Sequence, residues 1–140
     1  MDMKRLVIGT IVGGVAYYVV GYLIFGLAVA DFYAANRPPG FFREETIIWA
    51  AAVGSVGLGM LLTLGIMSGG GAATIAGGLA TGAVYNFLAW FGVDFLLYAG
   101  NEGRNLTLAV VDPLLEAIRG GIVGAVVAAV LSKVPKTATA

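Results

Sequence analysis

The chain has 140 residues, 59% of them hydrophobic and 11% charged, and its eight basic and eight acidic side chains cancel to a formal net charge of zero. A soluble domain carries about 25% charge, so the composition excludes one, and a mean hydropathy of +0.93 points to a small polytopic membrane protein. The absence of cysteine and histidine removes disulfides, Fe–S clusters, thiolate or imidazole zinc sites and His-ligated haem. A balanced charge leaves no basic patch for nucleic acid.

No charged side chain occurs from Leu6 to Ala30 or from Thr46 to Val93, and a bilayer-spanning helix needs about 20 apolar residues. The first run, residues 6–30, is entered by Lys4 and Arg5 and closed by Asp31; at 1.5 Å per residue it reaches roughly 37 Å, enough to cross with tilt. Ala28-Val29-Ala30 has the small-x-small form of a signal cleavage site, but the run far exceeds the roughly 7 to 15 residues of a signal h-region and reads as a retained helix. The segment from Asp31 to Glu45, with Phe32, Tyr33, Arg37-Pro38-Pro39-Gly40 and Phe41-Phe42, reads as a loop suited to the headgroup region.

The second uncharged run is too long for one helix and is divided at Ser68-Gly69-Gly70-Gly71, whose consecutive glycines favour a turn. It predicts spans over 47–67 and 73–98. The polar turn Gly100-Asn101-Glu102-Gly103-Arg104-Asn105 follows. Asp112-Pro113 then offers a helix start, with Asp as N-cap and Pro at the first helical position. A fourth span covers 108–131, its first residues forming an extra turn or an interfacial segment. The expected fold is a four-helix transmembrane bundle in a single transmembrane domain, residues 1–140, lying in the cell (inner) membrane. Lys4, Arg5, Lys133 and Lys136 at one end outnumber Arg37, Arg43 and Arg104 at the other, which predicts both termini on the cytoplasmic side.

Small residues recur one turn apart in every span: Gly9 and Gly13, Ser55 and Gly59, Gly78 and Gly82, Gly120 and Gly124. In lipid such small-residue stripes let backbones approach closely. They are helix-packing positions and not phosphate loops, since no Gly-rich run is followed by Lys. Thr10-Ile11-Val12-Gly13-Gly14 recurs as Thr74-Ile75-Ala76-Gly77-Gly78, and Asp31-Phe32 as Asp94-Phe95. Two readings stand: two parallel helical hairpins related by an axis normal to the membrane, or chance similarity in a Gly/Ala/Val-rich chain.

Asp112, Glu116 and Arg119 are spaced by four and three, so they share one face of the last helix. Arg119 is the deepest charge; it pairs with Glu116 one turn away, and Asp94, near the end of the third span with Trp90 and Tyr98 on its stripe, is its expected additional partner. Asp94, Asp112, Glu116 and Arg119 thus form a candidate intramembrane polar cluster. One reading is a satisfied ion cluster locking the last two helices. The other counts three carboxylates against one Arg, so that one acid carries a proton or attracts a cation. Asn86 is expected to make an interhelical hydrogen bond. No catalytic residue, metal ligand or cofactor is expected: the lysines are terminal, which excludes a retinal-type Schiff base, and Asp31 and Asp94 lack the surroundings of an intramembrane aspartyl dyad.

The aromatic first span closing on Phe25-Gly26, the third span with Gly82, Phe87 to Trp90 and Gly92, and Asn101-Glu102-Gly103-Arg104 followed by Leu106 and Leu108 together resemble a bacterial membrane-protein family, domain-of-unknown-function family 1761. The resemblance implies a small four-helix membrane protein and no particular activity. The leading expectation is a structural or interaction protein, a homo-oligomer or accessory subunit of a larger membrane complex, whose partners are the bilayer and other subunits. A small oligomeric transporter or permeation unit using the cluster of the last helix is the alternative, and an enzyme acting on a lipid ranks third.

Overall fold

A computed structural model describes residues 2–38, 40, 43, 45–69 and 73–136. Among them the chain is entirely helical: α1 runs Met3–Gly21 and continues as a π-helical segment Tyr22–Ala28, followed by α2 (Ala30–Asn36), α3 (Ile48–Ser68), α4 (Ile75–Gly100) and α5 (Leu106–Leu131). Four of these, counting α1 with its π segment as Met3–Ala28, are long and apolar enough to cross a bilayer. The protein is a multi-pass membrane protein of four spans. Its outward faces suit lipid: Ile48, Trp49 and Leu96 are 65%, 72% and 76% exposed.

Three boundaries differ from the sequence reading. The first half of the expected loop 31–45 is the helix α2. Its Ala-rich composition permits helix, Asp31 stands in the first turn where a negative charge suits the helix dipole, and Tyr33 is buried. The helix stops at Arg37, which is extended (φ −120°, ψ 145°) because the residue before a proline is pushed out of the helical region. Phe41, Phe42 and Pro39, also assigned to that loop, lie outside the described residues, as do Gly70 and Gly71 of the glycine turn. The span over 6–30 ends earlier, at Ala28, and Val29 (φ −122°, ψ 18°) breaks it from α2.

The last helix begins at Leu106 and not at Asp112. The Asn105 side chain caps it by accepting from the Leu108 N–H at 2.8 Å, and the chain passes through Pro113 without stopping. Pro113 lacks an N–H to give, a loss that membrane helices tolerate. Residues 106–111 are therefore regular helix, and Asp112 is released from capping for another task.

The helices pack in two antiparallel hairpins, α1 with α3 and α4 with α5, joined chiefly through α1 and α5; α3 and α4 meet only slightly. The glycines explain the pairing. A Cβ at Gly82 would overlap the Gly120 carbonyl, and one at Gly78 the Gly124 carbonyl, so α4 and α5 touch backbone to backbone along two turns. Gly13 meets the Gly59 backbone and Gly9 the Thr63 side chain in the other hairpin. Close approach in lipid recovers dispersion energy that apolar burial alone does not supply. Beside these seams lies a buried cluster of Tyr17, Leu62, Val123, Val127 and Leu131.

The Thr-x-x-Gly-Gly match does not mark equivalent places. Thr10 lies inside α1, whereas Thr74 caps α4 by accepting from the Gly77 N–H. Asp31 is exposed on α2 and Asp94 is fully buried in α4.

Candidate functional site

The polar residues gather at the end of the bundle where α1 turns into its π segment, α4 ends and α5 begins. The turn between α4 and α5 is built by Asn101, whose side-chain oxygen accepts from the Gly103 N–H at 2.8 Å while its carbonyl accepts from the Arg104 N–H at 3.1 Å. This tight return directs Arg104 inward, where it is 6% exposed. Its Nη2 donates to Asp94 Oδ1 and, at 2.6 Å, to Asp112 Oδ2. The Tyr33 hydroxyl donates to the other oxygen of Asp112. Asn105 closes the arrangement by donating from Nδ2 to the Asn36 carbonyl at 3.0 Å, which ties the end of α2 to the α4–α5 turn.

Arg104 corrects the sequence reading of Asp94. Its ion-pair partner is Arg104, not Arg119, because a five-residue connection brings the turn cation back over the end of its own helix. A loop arginine is ordinarily solvated, so nothing in its local sequence marks it as buried. The available signal was its position, in a short connection between two acids on the helices either side. Arg37 also joins the site, stacking its guanidinium 4.4 Å from the centre of the Tyr33 ring. The count of three carboxylates against one Arg is therefore wrong: Arg37, Arg104 and Arg119 all attend the cluster.

Glu116 and Arg119 form a second pair, at 3.0 Å. Arg119 reaches across to α1 and donates from Nε (3.2 Å) and Nη2 (2.7 Å) to the Tyr17 carbonyl, one turn before the helix changes from α to π. Gly21 makes this possible, since a Cβ there would press on the guanidinium. The rings of Tyr17 and Phe25 lie 5.1 and 5.7 Å from the Arg119 guanidinium carbon, favourable cation–π distances. Below this pair Asn86 makes its interhelical hydrogen bond, donating to the Tyr17 hydroxyl at 2.5 Å.

Cavities flank the π segment on both sides. One, of about 550 Å³, extends from Tyr33 on α2 and Arg37 just after it past Trp90, Asp94 and Leu97 on α4 to Glu116. Glu116 is ten residues into α5, roughly 15 Å from its start, so the cavity reaches from a helix outside the spans well into the bilayer region. The other, of about 810 Å³, runs from Glu45 and Thr46 between α1 and α3 to Arg119. Phe25 and Gly26 line both; the π segment is the wall between them, and the Glu116–Arg119 pair has one member in each. Single-turn π insertions concentrate at functional sites because they displace side chains from helical register.

Both charge groups hold a buried polar atom without a hydrogen bond. Asp112 uses both oxygens, whereas Asp94 Oδ2, Glu116 Oε2 and Arg104 Nε are buried without a hydrogen-bond partner. Glu116 is 3% exposed and Asp94 0%. At the surface end, burial and then the hydrogen bond to Asp112 push the Tyr33 phenol above its ordinary value, keeping it a donor, and burial draws Arg37 below its own. No group of acids able to hold a metal occurs among the described residues.

Fold and site together define a four-span membrane protein with a polar-headed cavity at one end of its bundle. No protein-family model, no curated protein and no solved structure matches the chain, so the functional reading rests on this geometry.

Proposed function

We propose that the protein is a small membrane-embedded transport or permeation unit in which the cavity ending at Glu116 is the solute site. One observation carries the reading: an open-sided cavity of about 550 Å³ runs from Tyr33 and Arg37 to a buried carboxylate, Glu116, with an unpartnered oxygen. A purely structural ion pair has no need of such a space, and a largely apolar pocket with a few convergent polar groups is the usual form of a binding site. Intramembrane ionisable residues mark solute and proton pathways. The division of Glu116 and Arg119 between two cavities supports a path past the π segment. The Asp94–Arg104–Asp112–Tyr33 group has the other task, holding α2, α4 and α5 as a frame around the site.

The same proposal places the protein in the cell (inner) membrane with both termini cytoplasmic, on the bias of Lys4, Arg5, Lys133 and Lys136. The cavities then open toward the outer face. The likeness to family 1761 is part of the proposal for architecture and adds no activity.

The test is ion flux in proteoliposomes. An imposed pH gradient is expected to decay faster with the protein than in protein-free vesicles, and Glu116→Gln to slow that decay while its detergent-solubilised assembly keeps the wild-type size. Equal decay in all three preparations overturns the permeation reading. That result favours a second one, a self-assembling or accessory subunit of a larger complex. Its support is the open space around Gly54, Gly57 and Gly92, small-residue positions where a neighbouring helix can approach closely.

A further inference from the structure

The unsatisfied atoms around the cavity describe what it lacks. Two are carboxylate oxygens, Asp94 Oδ2 and Glu116 Oε2, and two are guanidinium nitrogens, the Nε atoms of Arg104 and Arg37. The guanidinium groups are otherwise engaged: Arg104 with Asp94 and Asp112, Arg119 with Glu116 and the Tyr17 carbonyl, Arg37 over the Tyr33 ring. In number Asp94, Asp112 and Glu116 are matched by Arg37, Arg104 and Arg119, but Arg37 and Arg104 stand toward the α2 end, and beside Glu116 the one guanidinium, Arg119, is shared with the Tyr17 carbonyl. What is missing at Glu116 is a hydrogen-bond donor, and an ammonium group, which brings three donors and a charge opposite to the carboxylate, supplies it. The remaining walls, Phe25, Tyr33, Trp90 and Leu97, offer apolar and aromatic surface that suits an organic body and the face of an ammonium group.

We infer that the cavity binds a primary ammonium group carried on an apolar body, with the ammonium at Glu116 Oε2 and the body against Phe25, Trp90 and Leu97. This rests on the proposed role of the cavity as a solute site and names its ligand class. Pockets of 300–1,000 Å³ hold drug-sized molecules, so about 550 Å³ accommodates an arylalkylamine or the head region of an amine-bearing lipid. An alcohol of the same shape gives Glu116 one neutral donor. A carboxylate brings no donor to Glu116 Oε2 and is repelled by that side chain.

Trp90 lies in the cavity wall, and the other tryptophan, Trp49, faces outward on α3. A Trp49→Phe protein in phosphatidylcholine nanodiscs therefore reports occupancy through Trp90 fluorescence. The probes are 4-phenylbutylammonium, 4-phenylbutanol and 4-phenylbutyrate, of matched size. The ammonium is expected to give a saturable change at a concentration about tenfold lower than the alcohol, with the carboxylate weakest, and Glu116→Gln is expected to bring ammonium and alcohol together. Wild-type selectivity decides the inference even where the variant does not fold. Alcohol binding as tightly as ammonium, or carboxylate binding tighter, overturns the ligand class and leaves the cavity a solute site. No change with any probe overturns both. Repetition in discs containing phosphatidylethanolamine separates two sources of the same chemistry: competition supports a lipid amine, and unaltered binding supports a free one.

Discussion

The two ends of the bundle hold their helices together by opposite means. Toward one end α4 and α5 meet backbone to backbone, at Gly82 and Gly120 midway and at Gly78 and Gly124 beyond, next to the buried apolar residues Leu62, Val123, Val127 and Leu131. At the other, helices stand apart around two cavities, and four charged or hydroxyl side chains bridge them. Dispersion needs contact along a whole face and leaves less space, here a pocket of about 150 Å³ beside Gly77 and Gly78 against about 550 and 810 Å³ at the other end. Ion pairs act at points and can brace helices across a gap. A membrane protein that must keep a space inside the bilayer is therefore served by placing its charges at the open end and its glycines at the closed one.

The comparison breaks most visibly at Arg104. Arg104→Ala leaves Asp94 and Asp112 buried without their cation, and removing one partner of a buried pair costs about 3–5 kcal/mol. Thermal unfolding in detergent is expected to fall accordingly, with much of the loss recovered when Asp94→Asn and Asp112→Asn are added. Next is the glycine seam. Gly82→Val drives a side chain into the Gly120 carbonyl, and overpacking of this kind costs about 1–3 kcal/mol. Its signature is separation of α4 from α5, readable as lost cross-linking between cysteines introduced on the two helices. No compensating charge change should restore it.

Smaller effects sharpen the contrast. Tyr33→Phe removes the hydroxyl donor to Asp112 and is expected to cost about 1.5–3 kcal/mol if the carboxylate is left short of a partner, or about 1 kcal/mol if water enters. The two cases are separated by stability measured across pH. Burial and the Asp112 hydrogen bond raise the Tyr33 phenol above its ordinary value of 10.0. The folded state thus holds this proton more tightly than the unfolded one, so the contribution is complete below pH 10.0 and is lost as pH rises beyond it. Tyr33→Phe should flatten that alkaline decline while shifting the neutral plateau down. Least of all, Tyr17→Phe removes the hydroxyl that accepts from Asn86, and interhelical hydrogen bonds of this kind average about 0.6 kcal/mol.

The sequence carried the spans because the bilayer imposes a length that uncharged runs must meet, and α3 and α4 follow that rule closely. It also placed Glu116 with Arg119, a spacing that one helical turn makes local. What it concealed depends on contacts between distant segments. α2 is too short to show a periodic pattern, and Tyr33, its one buried residue, is fixed by Asp112, far along the chain. Arg104 reads as a solvated loop charge until the Asn101 turn folds it inward. The start of α5 was misplaced because Asp112-Pro113 is a good local helix start, whereas Asp112 is drawn into the ion network and Asn105 caps the helix instead. The π segment has no sequence signal that separates it from the apolar helix it continues.

The contrast between an open end and a closed end can be measured directly because the chain has no cysteine of its own. A single thiol is introduced by Glu116→Cys in one protein and by Val127→Cys in another, both in liposomes, and each is exposed to a small water-soluble, charged thiol reagent. The account predicts that position 116 is modified through the cavity while position 127, in the buried apolar cluster, stays unmodified over the same period. A thiol at 116 as inert as the one at 127 would contradict it.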